Sequence, residues 1–146
     1  MRLYLSSFRM GDHPEHLTAL IGEDRRRTVV IANAMDDAPP EVRRAGVDLE
    51  LAALADLGLD AAELDLRDYF GQQQRLHRDL AGACLAWLRG GNVFMLRYAL
   101  SRSGADAVWG RVGERREHRL ACGRGLGGLL CGCTCGRSGR AAIPST

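Results

Sequence analysis

The run Thr28-Val29-Val30-Ile31-Ala32 constrains this chain more than any other stretch. Successive β-branched residues leave neither side of an extended backbone for water. Such a run suits a parallel strand that is covered on both faces. Ala83-Cys84-Leu85-Ala86-Trp87-Leu88 has the same character and reads as a second buried strand. Strands of this kind need helices above and below them, and helical patterns lie on either side of both.

Arg2-Leu3-Tyr4-Leu5-Ser6 reads as a short first strand, followed by a stretch rich in Gly, Asp and Pro. Asp12 suits an N-cap and Pro14 a first helical turn, for a helix carrying Leu17, Leu20 and Ile21. Pro39-Pro40-Glu41 opens the longest helical segment. Val42, Leu49, Ala53 and Leu57 recur there at helical spacing, Arg43, Arg44, Glu50 and Asp56 supply a wet face, and Gly58 ends it as a C-cap glycine. Ala62-Glu63-Leu64-Asp65-Leu66 alternates as a third strand with one more exposed face, and Gln72 to Gly82 reads as a short surface helix or loop. The strand at Ala83–Leu88 runs into Gly90-Gly91-Asn92 and a helix carrying Val93, Phe94, Leu96, Arg97, Tyr98 and Leu100. Strands and helices in alternation predict a flavodoxin-like, doubly wound α/β sheet of about four parallel strands over residues 1–108. In such sheets the chemistry lies at the carboxyl ends of the strands, where the Gly-Gly-Asn turn falls.

The pattern stops at Trp109. Residues 109–146 hold half of the glycines and four of the five cysteines, with no sustained period, and predict a low-order Gly/Arg/Cys-rich tail. Cys84, alone in an apolar run, reads as a buried structural thiol. A length of 146 residues and an apolar fraction of 46% fit one domain. No stretch approaches the ~20 apolar residues of a membrane span, and the first residues do not resemble a signal peptide, so the expectation is a cytoplasmic protein. The net charge of +2 is too small for a nucleic-acid surface. All 20 basic residues are Arg, which fits a GC-rich coding sequence rather than any demand of charge chemistry.

Arg89-Gly90-Gly91-Asn92-Val93-Phe94-Met95-Leu96 is the sharpest chemical signal. Two glycines allow a tight turn with φ > 0 and close approach by a substrate. Main-chain N–H groups at the helix N-terminus can hold an oxyanion. The same residues also fit a plain strand-to-helix turn with Asn92 as N-cap.

A strand ending in Gly-Gly-Asn, with a helix beginning Val-Phe-Met-Leu, resembles the peptidase E family of the class I glutamine-amidotransferase-like group. The opening Leu-Tyr-Leu-Ser-Ser-Phe and the Val-Val-Ile-Ala-Asn-Ala strand are similar to that family too, and the resemblance covers about residues 1–108. It implies a serine peptidase acting on short peptides, with a preference for an acidic N-terminal residue as one candidate. Gly90, Gly91 and Asn92 would form the oxyanion turn. It implies no metal or cofactor, beside the charge and hydropathy that already argue for no nucleic acid and no membrane. In the family the nucleophile lies in a Gly-x-Ser-Ala-Gly elbow after the next strand, with a His and an acidic residue further on.

No Gly-x-Ser-x-Gly occurs in this chain. Ser101, Ser103, Ser138 and Ser145 are not in elbow context, and His118 has no partner in the sequence. Reading the codons behind Gly128 to Thr134 one base later is compatible with Gly-Tyr-Ser-Ala-Gly-Ala. Cys122 to Leu126 then read as Ala followed by small or apolar residues, a buried strand. The expectation is a frameshift between about Asp106 and Ala121, and a chain that is inactive as written. The alternative takes the tail at face value, as a non-catalytic interaction or metal-binding segment. Cys131, Cys133 and Cys135, with Cys122 or His118, would be its zinc or copper(I) ligands, although the Cys-x-Cys spacing departs from the Cys-x₂₋₄-Cys of structural zinc. Arg111 to Arg124 reads as a solvated basic run, and Asp36-Asp37 as turn chemistry near the carboxyl edge. His13, His16 and His77 lack metal-ligand spacing, and Asp65 and Asp68 read as surface carboxylates. Sequencing the coding DNA is the direct test: the shifted frame should encode Gly-x-Ser-Ala-Gly, and a frame without it removes the frameshift.

Overall fold

The computed structural model describes residues 2–6, 10–21, 27–112 and 119–123. The order is β1 (Arg2–Ser6), α1 (Pro14–Ile21), β2 (Thr28–Ile31), α2 (Pro40–Asp56), β3 (Ala61–Glu63), α3 (Gln73–Ala81), β4 (Leu85–Arg89), α4 (Val93–Ser103), α5 (Ala105–Val112) and β5 (Arg119–Gly123). Short 3₁₀ turns at Asn33–Met35 and Leu66–Tyr69 follow β2 and β3. All the strand pairs are parallel, in the order β1-β5-β4-β2-β3. From β2 onward this is the flavodoxin-like order, and β1 takes the far edge beyond β5.

The α/β class and doubly wound sheet agree with the sequence reading, but the number of strands does not. A fifth strand lies within the segment read as a tail, in an interior slot of the sheet between β1 and β4. Its sequence, Arg-Leu-Ala-Cys-Gly, lacks the β-branched residues that mark β2. Two backbone neighbours, rather than propensity, account for its extended conformation. Residues 113–118 and 124–146, the remainder of that reading, lie outside the described residues.

Each face of the sheet carries its own core. Val29, Ile31, Ala86 and Leu88 alternate onto the face covered by α3, α4 and α5, where they meet Leu76, Leu80, Leu96 and Val108. Val30, Leu85 and Trp87 point the other way, toward Leu17 and Ile21 of α1 and Leu54 of α2. Cys84 is buried there, with Sγ 3.9 Å from Thr28 Oγ1. No helix among the described residues is long and apolar enough to cross a membrane.

The buried stripe of α2 differs from the expected one. Val47, Glu50 and Leu54 face the sheet, whereas Val42 and Leu49 are exposed. The reason is Trp87, which is completely buried and needs an acceptor for its indole N–H. Glu50 supplies it: Oε2 accepts from Trp87 Nε1 at 3.0 Å, and Oε1 accepts from the Arg89 guanidinium at 2.8 Å. A carboxylate assigned to the wet face is thus 6% exposed. Gly58 does close α2, at φ 74°, with its N–H donating to Ala55 O and Leu59 N–H to Leu54 O.

Glu50→Ala should strand a buried indole N–H and the Arg89 guanidinium. The expected cost is about 2–4 kcal/mol, read as a lower urea midpoint by circular dichroism. Glu50→Gln, which keeps an acceptor for Trp87, should lose less.

Candidate active site

β4 ends at Arg89, and the chain turns through Gly90 and Gly91 into α4. Asn92 is the N-cap, its Oδ1 accepting from the N–H groups of Phe94 (3.0 Å) and Met95 (3.4 Å). Its Nδ2 donates to Asp37 Oδ2 at 2.6 Å, and its main-chain N–H donates to the Ala34 carbonyl at 2.7 Å. One residue therefore ties the turn to the loop after β2 while it starts the helix.

Gly91 is a glycine because of what lies beside it. A Cβ there would sit 2.5 Å from Ala34 O and 3.0 Å from Met35 Sδ. Neither Gly90 nor Gly91 is among the positive-φ glycines, so the expected φ > 0 is not the reason for the pair. The three residues of the expected oxyanion turn also divide in role. The Asn92 N–H is consumed by Ala34, whereas Gly91 is exposed and its N–H has no hydrogen-bond partner among the described residues. The strand register sets Gly123, the last residue of β5, beside Arg89, so β5 ends next to this turn.

The loop that holds Asn92 is itself anchored from below. Asn33 is fully buried, donating through Nδ2 to Asp36 (2.8 Å) and Asp65 (2.9 Å) while its Oδ1 accepts from Leu66 N–H. Arg43 of α2 joins Asp36 (3.1 Å), Glu63 (2.6 Å) and Asp65 (3.1 Å). Asp65, expected as an ordinary surface carboxylate, is instead a member of this network and caps the turn at Leu66–Tyr69. Burial works to raise its pKa, but hydrogen bonds from Arg67 and Asn33 outweigh burial and hold it at about 2. Asp36 and Asp37, read together as a turn, point to different partners: Asp36 to Arg43 and Asn33, Asp37 to Asn92. A cleft of about 390 Å³ opens over Arg43, Arg44, Glu63 and Arg67, and the Gly-Gly-Asn turn does not line it.

The other candidates stay apart from this edge. His13 and His16 stack at 5.3 Å, and His13 Nδ1 lies 2.8 Å from Glu15. No cluster of three or more metal-ligating side chains occurs among the described residues. Ser101 is exposed, and the Ser103 hydroxyl is spent on Leu100 O at the end of α4. His118, Cys131, Cys133, Cys135, Ser138 and Ser145 lie outside the described residues, and Cys122 is a backbone member of β5.

The fold is shared with two solved peptidases. One is a protein of Listeria monocytogenes EGD-e assigned to peptidase E, matching with a TM-score of 0.62 at 23% identity. The match covers 84% of this chain and 57% of that one. The other is a peptidase from an acI-B1 actinobacterium, with a TM-score of 0.62 at 18% identity, covering 82% of this chain and 52% of that one. The chain thus spans little more than half the length of either structure. No family model matches it, and no curated protein does.

Two outcomes follow from this geometry. Gly91→Ala should push the turn off Ala34 and cost about 1–3 kcal/mol, as overpacking does, measurable as a drop in melting temperature with displaced Asn92 and Ala34 resonances. Because the folded pKa of Asp65 lies below its unfolded value, its contribution is present above about pH 4 and is lost as pH falls toward 2. Allowing for solvent screening, Asp65→Asn should remove on the order of 1 kcal/mol of that acid-side dependence, seen by urea unfolding across pH 2–6.

Proposed function

We propose that this chain has the framework of a serine-type peptidase of the peptidase E family, acting on short peptides, and that as written it lacks the nucleophile. The observation that carries the reading is the Gly91 N–H, which has no hydrogen-bond partner among the described residues, at the carboxyl edge beside the end of β5. A main-chain donor of this kind suits the oxyanion formed when a serine hydroxyl attacks a peptide carbonyl. A nucleophile carried on the turn after β5 would emerge next to it. The likeness in fold to the two peptidases supports the same class of reaction.

The missing part is the elbow itself. The frame one base later, which is compatible with Gly-Tyr-Ser-Ala-Gly-Ala over Gly128 to Thr134, would supply a serine after the β5 slot. Without it the oxyanion donor has no partner in catalysis. Loss of the nucleophile alone removes about 10⁶-fold of the rate in a serine peptidase.

The test compares two proteins on a panel of dipeptides, including ones with an N-terminal Asp. The chain as written should hydrolyse none above background. The protein encoded by the shifted frame should hydrolyse at least one and lose that activity when the elbow serine is changed to Ala. Hydrolysis by the chain as written would overturn its inactivity, and no hydrolysis by the shifted-frame protein would overturn the family reading.

A further inference from the structure

We propose that Asp37 is a positioning residue for the oxyanion turn, acting through Asn92; this rests on reading the Gly91 N–H as the oxyanion donor. Among the described residues Asn92 makes five hydrogen bonds: its carbonyl accepts from Leu96 N–H within α4, and the other four fix the peptide planes around Gly91. Its Oδ1 is bound to the first turn of α4, and its main-chain N–H to Ala34 O. Its Nδ2 has Asp37 as partner, at 2.6 Å across 55 residues of sequence. An amide that caps a helix through its oxygen can still swing its nitrogen end, and the Asp37 carboxylate removes that freedom.

Asp37 can do this because its own loop does not move freely. The preceding residue, Asp36, has a side chain 7% exposed and bound by Arg43 and Asn33. Ala34, three residues earlier, carries the carbonyl that receives Asn92 and against which Gly91 is packed. The loop therefore grips the turn at two points, with a carbonyl under the backbone and a carboxylate on the side chain. Neither Asp37 carboxylate oxygen is used by an ion pair among the described residues, where its side-chain partner is Asn92. An acidic residue beside an anion-binding donor is electrostatically unfavourable, because its charge repels the oxyanion. A geometric role accounts for its presence there.

These two effects have opposite signs, which makes the role testable. Acetate is titrated into the ¹⁵N-labelled full chain as a small carboxylate probe, and the Gly91 amide resonance is followed. In the unaltered protein that resonance should shift and saturate. Asp37→Ala should weaken the response about fivefold, as expected for losing one hydrogen bond of ordinary strength. Asp37→Asn keeps an acceptor for Asn92 Nδ2 and should restore it. If charge alone matters, both variants bind acetate more tightly than the unaltered protein, and the positioning role is overturned. If the unaltered Gly91 amide does not respond to acetate, it is the oxyanion reading that fails. The Asn92 side-chain amide provides a check that needs no variant: the proton donated to Asp37 should exchange with solvent more slowly than its partner on the same nitrogen, and equal exchange of the two in the unaltered chain would overturn the role of Asp37.

Discussion

β1 is joined to the remainder of the sheet through a single neighbour. Arg2 to Ser6 pair with Arg119 to Gly123, and the same five residues of β5 pair on their other side with Leu85 to Arg89. Parallel strands have no tight hairpin to fall back on, so both ladders rest on long-range closure. The row Ser6–Gly123–Arg89 aligns the carboxyl ends of three strands, which sets the Gly90-Gly91-Asn92 turn at a common edge. A site at that edge therefore depends on a strand contributed from a segment whose own sequence argues weakly for a strand.

At the opposite side of the turn the constraint is electrostatic. Arg43 sits among three carboxylates, its side chain 13% exposed, and Asn33 completes the connection between the ends of β2 and β3. Such a cluster holds together because each charge has partners; removing one partner leaves the others desolvated without compensation. Its consequence for the site is indirect. By fixing Asp36 it fixes Ala34 and Asp37, and these hold Asn92. A donor held in advance of the charge it receives needs no reorganisation during a reaction, which is the physical value of a rigid base under an exposed N–H.

Some of this was legible in the residues. The β2 and β4 runs, the Pro-initiated α2, Gly58 as its terminator and the Gly-Gly-Asn turn with Asn92 as N-cap all follow from local chemistry, and they stand in the structure. The buried face of α2 is not legible in sequence because Glu50 looks like a surface residue until Trp87 lies beneath it. Asp65 looks like a surface carboxylate for the same reason: its partners Arg43 and Asn33 are 22 and 32 positions away. The division between Asp36 and Asp37 had no sequence signal, since neighbouring carboxylates in a turn look alike. The sequence reading of the Gly-Gly pair through φ > 0 does not hold, and it is contact with Ala34 that calls for glycine at position 91.

The sequence by itself determined the α/β class, the positions of β1, β2 and β4, the helix boundaries set by Pro40 and Gly58, and the turn at which chemistry is expected. These are properties of neighbours along the chain, where side-chain branching, proline and glycine act on the local backbone. Only the tertiary structure decided that β5 stands between β1 and β4, that Glu50 is buried, and that Asn92 spends its N–H on Ala34 while that of Gly91 has no partner among the described residues. Each of these is a pairing between groups far apart in sequence, and burial makes an unmet hydrogen bond costly enough to select it.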